Sequence, residues 1–210
     1  MFRKMFCLLC ACLVMLAAVP ALAAVLEPME SEIDLADLSY VKTAGVPGEY
    51  ADGKLTVMLY EPEPFDAAGV AALQVGDSIV IGGQEIKINS LDLGTESAAI
   101  NEESGEDMYF LYMDEYRNFI AMNEYDMTSY RELGEATCEV AAGALFLDGV
   151  DPVSGEPLST RTEHSFEEFL TIRADEEANQ GIGFNKTNTT LVFNAEGQLE
   201  SIERVYTPWQ

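Results

Sequence analysis

The chain has 210 residues, with 37 acidic and 11 basic side chains, so its formal net charge at pH 7 is −26. A negative charge of this size argues against nucleic acids and anionic membrane surfaces as partners, because both require cationic contacts. It is compatible with a protein that binds cations, and equally with one that only needs to stay soluble outside a cell.

The first residues have the pattern of a secretory signal peptide. Arg3 and Lys4 precede an uncharged apolar run over residues 5 to 19, and a small-residue site ending at Ala23 follows. We predict cleavage after Ala23 and delivery to the outside of the cell or to the cell envelope, as is typical of bacterial export. The alternative interpretation is a membrane tether through a lipid on Cys12. The apolar run is too short to span a bilayer, so no transmembrane segment is expected after cleavage.

Removal of residues 1 to 23 leaves 187 residues and only Cys138 of the four cysteines. The mature chain keeps nine basic residues against 37 acidic ones, which is a formal net charge of −28. A single thiol cannot form a disulfide within the chain, so stability must come from a hydrophobic core, and this length suffices for one or two. The alternating apolar surroundings of Cys138 predict a buried, unreactive thiol.

We expect residues 24 to 53 to form an acidic, mobile leader, because this segment is rich in carboxylates and interrupted by proline and glycine. One β-rich globular domain is predicted to follow over residues 54 to 210. Its first strand is indicated by the alternating hydrophobicity of residues 54 to 62. A short helix is predicted near residues 66 to 73, where Asp66 is a suitable N-cap for an alanine-rich segment.

Residues 75 to 83, Val-Gly-Asp-Ser-Ile-Val-Ile-Gly-Gly, contain a motif with two interpretations. Gly76-Asp77-Ser78-Ile79 resembles the nucleophile motif of the GDSL (SGNH) hydrolases. That resemblance implies that Ser78 attacks an ester with the help of a histidine placed three residues after an aspartate near the C-terminus. The only histidine of the chain is His164, and the residue three before it is Arg161. The second interpretation is a turn that enters a β-hairpin.

The surrounding residues favour the hairpin. Residues 78 to 81 form an apolar run, and Gly82-Gly83 supplies the positive φ angles that a two-residue turn requires. The returning segment places Ile86 and Ile88 on one face. In the hydrolases the nucleophile follows a strand and opens a helix, whereas Ser78 leads into a strand. We therefore predict a structural role for this stretch.

Further short apolar runs, separated by acidic or glycine-containing breaks, predict a mainly β fold, an antiparallel barrel or sandwich of short strands. Residues 149 to 164 contain two prolines and two glycines and are predicted to be a long loop or an internal boundary. Ser165 and Glu168 have the spacing of a capping box, which predicts a longer helix near residues 165 to 180. The last 23 residues are expected to form a hairpin, although a helix is also compatible with their apolar spacing.

One segment is a candidate ligand-binding region. Residues 107 to 130 hold five of the nine tyrosines and four of the nine methionines, interleaved with carboxylates. Tyrosine rings beside carboxylates can stack on a sugar and bind its hydroxyls, and methionines adapt to a peptide. The predicted ligand-binding residues are Tyr109, Tyr112, Asp114, Glu115 and Tyr116. The alternative is a pair of strands with an aromatic face in the core and an acidic face in water.

A second segment is a candidate calcium site. Asp148, Asp151 and Glu156 lie in one loop beside backbone carbonyls, and Ca²⁺ prefers such oxygen ligands. The spacing does not match an EF-hand, because positions three and five of a loop that starts at Asp148 hold Val150 and Pro152. The alternative is a solvated acidic turn, in which case the protein needs no cofactor.

We expect a non-enzymatic module that binds an unidentified extracellular ligand or protein. This expectation rests on the absence of catalytic motifs from the sequence. A single histidine excludes zinc sites built on two or three histidines, and no phosphate-binding glycine loop occurs. The alternatives are a secreted hydrolase that uses carboxylates or Ser78 and a purely structural protein of the envelope.

Overall fold

The computed structural model describes residues 23–103, 107–151, 154–175 and 182–207. Within these ranges the chain is mostly β, with two short helices, which confirms the predicted fold class. Most of the predicted signal peptide, including Cys12, lies outside the described residues. Neither helix of the described chain is long and apolar enough to cross a membrane.

Short strands follow one another along the described chain, and two of them exceed nine residues. The strands are β1 (Val25–Leu26), β2 (Lys42–Ala51), β3 (Lys54–Pro62), β4 (Pro64–Phe65), β5 (Ser78–Ile81), β6 (Gln84–Lys87), β7 (Leu91–Leu93), β8 (Ser97–Ile100), β9 (Tyr109–Met113), β10 (Phe119–Asn123), β11 (Tyr130–Val150), β12 (Pro157–Ser165), β13 (Thr189–Phe193) and β14 (Leu199–Arg204). The helices are α1 (Ala67–Ala72) and α2 (Phe166–Ala174).

A curled six-stranded sheet carries the larger core. Its strands lie in the order β12-β11-β14-β13-β2-β3, and β11 pairs with β3 as well, so the pairing closes on itself. All neighbours are antiparallel except β11 and β14, which run parallel. Register shifts interrupt most of these pairings, and such bulges bend strands. The result is a sandwich-like enclosure rather than a regular barrel.

Strand β3 shows how the alternating pattern builds this core. Leu55, Val57 and Leu59 have no solvent exposure, whereas the residues between them are only half-buried. Helix α2 covers the same core with Phe166 and Phe169. The predicted N-terminal capping box of α2 is present, with reciprocal hydrogen bonds between Ser165 and Glu168. The helix ends earlier than predicted, at Ala174, and residues 176 to 181 lie outside the described chain.

Residues 63 to 129 form an insertion between two paired strands. Pro62 at the end of β3 is the register partner of Tyr130 at the start of β11, so the chain leaves and returns at neighbouring positions. The insertion has its own core between the sheets β1-β5-β6 and β4-β10-β9-β8-β7, with α1 beside it. Glu63, only 3% exposed, accepts hydrogen bonds from the Gly82 N–H (2.7 Å) and the Ser129 hydroxyl (2.8 Å). The Glu63 carboxylate therefore links the two ends of the insertion, residues 63 and 129, to its β5–β6 turn.

The stretch with the hydrolase-like motif is the predicted hairpin. β5 pairs with β6 around Gly82 and Gly83, whose φ angles are 60° and 74°. Asp77 accepts hydrogen bonds from the backbone N–H groups of Ala24 and Gln74, 2.8 and 2.9 Å away, so it organises the preceding turn. Ser78 is 5% exposed. The predicted cap of α1 is also present, because Asp66 accepts a hydrogen bond from the Gly69 N–H.

The prediction of a mobile leader over residues 24 to 53 is wrong, because Val25–Leu26 pair with β5 and Lys42–Ala51 form β2. Strand β2 lies inside the sheet between β13 and β3. Gly45 and Pro47, two of the residues that suggested mobility, are buried in it. Gly45 packs so closely against Leu191 that a Cβ at this position would lie 2.4 Å from the leucine Cδ1. Pro47 lies next to a register shift, where a missing N–H is tolerated.

The predicted long loop over residues 149 to 164 is also corrected. β12 occupies Pro157–Ser165 and pairs with β11, so the connection shortens to residues 151 to 156, of which 152 and 153 are not described. β12 lies at the edge of the sheet and most of its side chains are exposed. Such a strand needs few apolar residues, which is why its sequence has no hydrophobic alternation. The C-terminal residues form the predicted hairpin of β13 and β14.

A buried ion pair lies across the larger core. The Arg204 guanidinium donates to both oxygens of Asp148, with Nε–Oδ1 at 2.9 Å and Nη2–Oδ2 at 2.6 Å. Its central carbon lies 4.6 Å from the centre of the Phe184 ring and 5.4 Å from that of Phe146. Both charged residues are fully buried. Removing one partner of this ion pair is costly, because the charge of the other partner then stays buried without water or a counter-charge.

We predict that Asp148→Ala lowers the free energy of unfolding by about 3–5 kcal/mol, because it leaves the Arg204 charge buried and unpaired. Glu203→Ala is the control: its carboxylate pairs with the more exposed Lys42 and Arg161 and should contribute less than about 1 kcal/mol. Urea denaturation measures both. Equal losses for the two variants would show that the buried pair has no special role.

Cys138 is predicted to be unreactive in the native protein. Burial raises the pKa of its thiol to about 11, and the thiol reacts as the thiolate. Ellman's reagent at pH 8 should label it slowly in buffer and rapidly in guanidinium chloride. Rapid labelling of the native protein would contradict the prediction.

The raised pKa of Cys138 also predicts a pH-dependent stability. Because the thiol of an unfolded chain ionises at about 8.5, its contribution to the stability of the fold is fully present below that pH and is lost as the pH rises towards 11. Cys138→Ala should lack this pH-dependent component.

Candidate functional site

The hairpin of β9 and β10 carries most of the sequence-predicted binding residues. The two strands pair from Met113–Phe119 at the turn to Tyr109–Asn123 at the other end. Asp114 builds the turn, because its backbone N–H donates to the Asn118 carbonyl and its Oδ1 accepts the Asn118 N–H, each at 2.8 Å. Glu115 and Tyr116 are exposed at its tip.

The structure does not bring the three predicted tyrosines together. Tyr109 packs against the core of the insertion, and burial, followed by the charges of Asp107 and Glu63, raises the pKa of its hydroxyl. Tyr112 lies on the opposite face of β9, because a spacing of three places two strand residues on opposite faces. Tyr116 is 76% exposed in the turn. Period-2 counting along the strand would have separated Tyr109 from Tyr112.

A cavity of about 800 Å³ lies beside this turn and contains three of the five predicted residues. We call it the acidic cleft. It lies between the outer face of the large sheet, the segment before β2 and the β9–β10 turn. Its charged and aromatic lining consists of Glu30, Glu32, Lys42, Glu61, Asp114, Glu115, Tyr116, Tyr130 and Arg131. Asp114, Glu115 and Tyr116 thus meet residues that are distant in sequence.

Arg131 holds one wall of the acidic cleft in place. Its Nε donates to Glu61 Oε1 at 2.6 Å, its Nη2 pairs with the same carboxylate, and its Nη1 donates to the Met29 carbonyl. The Met29 N–H in turn donates to the Pro64 carbonyl at 2.7 Å. One guanidinium therefore connects β11, β3 and the N-terminal segment.

The charges of the acidic cleft are unbalanced. Its two cations are already engaged, Arg131 by Glu61 and Lys42 by Glu203 at 3.2 Å. The remaining carboxylates belong to Glu30, Glu32, Asp114 and Glu115. None of these four forms an ion pair within the described part of the chain. A concave surface lined by one sign of charge concentrates counter-ions and attracts ligands of opposite charge.

An apolar surface adjoins the acidic cleft. Phe110, Tyr112, Ile120 and Met122 point away from the core on β9 and β10, and we call these four residues the hairpin face. The Phe110 and Tyr112 rings lie 6.3 Å apart at 32°. On β8 their register partners are the small residues Ala99 and Ser97, which leave the rings open to approach. Ile120 also lines the acidic cleft, so the two surfaces are continuous.

The three residues of the predicted calcium site have different surroundings. Asp148 is bound by Arg204 in the core. The backbones of Asp151 and Glu156 are joined by a hydrogen bond from the Asp151 N–H to the Glu156 carbonyl at 2.8 Å, and Asp151 Oδ1 accepts the Ser154 N–H at 3.0 Å. Among the described residues, no group of three or more histidine, cysteine, aspartate or glutamate side chains is arranged to hold a metal ion. A calcium ion at this connection would depend on Asp151, Glu156 and carbonyl oxygens.

Ser78 and His164 belong to different cores. Ser78 lies in β5 between β1 and β6, and its N–H donates to the Ala24 carbonyl at 2.8 Å. The His164 ring stacks on Phe146 in the larger core, with centroids 5.6 Å apart. A serine nucleophile needs an adjacent base to remove its proton. The arrangement explains Ser78 as a strand residue.

Sequence patterns did not point to the residues that complete the acidic cleft, namely Glu30, Glu32, Lys42 and Arg131. In the segment before β2, Glu30 and Glu32 alternate with half-buried residues. This alternation was the one local feature indicating that the segment is an ordered wall of the acidic cleft. A smaller depression of about 360 Å³ was not predicted either. It lies between the β10–β11 turn and the 185–188 turn, and Tyr125 and Tyr130 line it.

Comparisons with known proteins leave the geometry of the acidic cleft as the basis for assigning a function. No protein-family model matches the chain, and neither the curated proteins nor the solved structures include a match.

Proposed function

We propose that this protein is a non-enzymatic binding module of the extracellular space or cell envelope, and that its ligand occupies the acidic cleft. The observation that carries the proposal is a cavity of about 800 Å³, two of whose walls present carboxylates without an ion-pair partner in the described chain, and whose rim continues into an apolar sheet face. This volume lies within the usual range for ligand sites, about 300–1,000 Å³.

The construction of the acidic cleft supports a binding role. One wall is held by the half-buried contact of Arg131 with Glu61, and a more exposed hydrogen bond from Arg131 to the Met29 carbonyl attaches the segment before β2. A site on rigid elements binds with little loss of conformational entropy. The exposed Tyr116 adds a large amphipathic surface at the rim, of the kind enriched at interfaces.

The alternative function is a hydrolase in which Ser78 is the nucleophile. If Ser78 were a nucleophile, it would need access to substrate, whereas it is 5% exposed within a strand. The purified protein is therefore expected to hydrolyse p-nitrophenyl butyrate no faster than its Ser78→Ala variant. Hydrolysis by the wild type that is lost in Ser78→Ala would contradict the proposal and favour the esterase.

The binding role is tested with peptide and glycan arrays. We expect the wild type to bind a set of array members, and Tyr116→Ala to lose at least about tenfold in signal, because it removes the large aromatic contact at the rim of the acidic cleft. Tyr125→Ala is the matched control, because Tyr125 is also an exposed turn tyrosine but lies outside the acidic cleft.

Two outcomes would contradict the site assignment. Loss of binding in Tyr125→Ala with retention in Tyr116→Ala would move the site to the smaller depression beside Tyr125. No binding to any array member would favour the purely structural role in the envelope.

A further inference from the structure

We infer that the ligand of the acidic cleft is an extended peptide segment of another protein in which lysine or arginine alternates with apolar residues. This inference rests on the proposed function and assigns the chemical class of its ligand. It combines the charge of the acidic cleft with the apolar character of the hairpin face.

The charge of the occupant follows from the carboxylates. Glu30 and Glu32 lie on the wall formed by the segment before β2, and Asp114 and Glu115 on that formed by the β9–β10 turn. None of the four has an ion-pair partner in the described chain. A ligand that covers these groups removes water from them, which is costly unless it supplies compensating charges. Cationic side chains supply those charges, whereas a neutral ligand offers the carboxylates only weaker hydrogen bonds and an anionic ligand is repelled by them.

The peptide character of the occupant follows from the hairpin face. Ile120 belongs both to the acidic cleft and to this face, so a ligand seated among the carboxylates lies next to Tyr112 and Phe110. A small cation or a polyamine would leave the apolar rings exposed. An extended peptide presents successive side chains to opposite sides, so it can direct charges to the cleft and apolar groups to the face.

Long-range electrostatics support the same partner. The chain carries a formal net charge of −26, so a cationic segment is attracted from solution before contact is made. The same charge repels anionic membranes and nucleic acids. Binding should therefore weaken with added salt, because the carboxylates at the rim are exposed and their interactions are screened.

The test uses a labelled peptide of sequence Gly-Lys-Val-Arg-Val-Lys-Gly with acetylated and amidated ends, in fluorescence anisotropy with the full mature chain. Two comparison peptides replace the three cationic residues with glutamate or with serine. We expect the cationic peptide to bind at least about tenfold more tightly than either, and its Kd to rise several-fold between about 50 and 300 mM NaCl, as the screening length shortens.

A pair of charge-matched variants separates the site from general charge attraction. Asp114→Asn combined with Glu115→Gln should weaken the cationic peptide at least about tenfold, and Asn at 114 keeps the oxygen that accepts the Asn118 N–H in the turn. Glu102→Gln combined with Glu103→Gln makes the same charge change at exposed residues outside the cleft and should alter Kd less than about twofold. Thermal unfolding verifies that both variants are folded.

Three results would overturn the inference: equal weakening by the two double variants, equal binding of the serine peptide, or no binding of the cationic peptide. Its failure can be told apart from failure of the proposed function. If array members of another class bind and Tyr116→Ala abolishes that binding, the acidic cleft is a ligand site for a different chemistry. If nothing binds on the arrays or in anisotropy, both proposals fall.

Discussion

The pairing of Pro62 with Tyr130 is the constraint on which the rest of the molecule depends. It closes a segment of 67 residues, 63 to 129, into an insertion with its own core, and it places that core beside the large sheet. Glu63 reinforces the junction, because its buried carboxylate binds both Gly82 and Ser129. A carboxylate without these donors would be expensive to bury, so the contact holds the insertion in one orientation.

The acidic cleft is a consequence of that junction. It lies where the outer face of the large sheet meets the β9–β10 turn of the insertion, and Arg131 adds the N-terminal segment as a third wall. Polar groups in the interior are paired, as the contact of Arg204 with Asp148 illustrates. Four carboxylates of the cleft, those of Glu30, Glu32, Asp114 and Glu115, have no ion-pair partner in the described chain. This excess of one charge on a concave surface is what distinguishes the candidate binding site.

Sequence patterns gave wrong predictions where the same residue type occurs in two different structural settings. Gly45 and Pro47 suggested a mobile leader, yet they belong to an interior strand in which glycine permits close packing against Leu191. Residues 149 to 164 suggested a loop because they contain two prolines and two glycines, yet Pro157–Ser165 is an edge strand whose pairing with β11 needs no hydrophobic alternation. Asp148 suggested a metal ligand, although its partner is an arginine 56 residues away. In each case the deciding neighbour is remote in sequence.

The sequence by itself determined the features whose physical causes are local. These include the glycine turn between β5 and β6, the caps of both helices, and the alternation of β3, since each depends on residues within a few positions of one another. It also placed Asp114, Glu115 and Tyr116, together with Tyr109 and Tyr112, in one predicted ligand-binding region. Only the tertiary structure decided that these residues face Glu30, Glu32 and an apolar sheet face, because long-range strand pairing and the contacts of Arg131 bring those segments together.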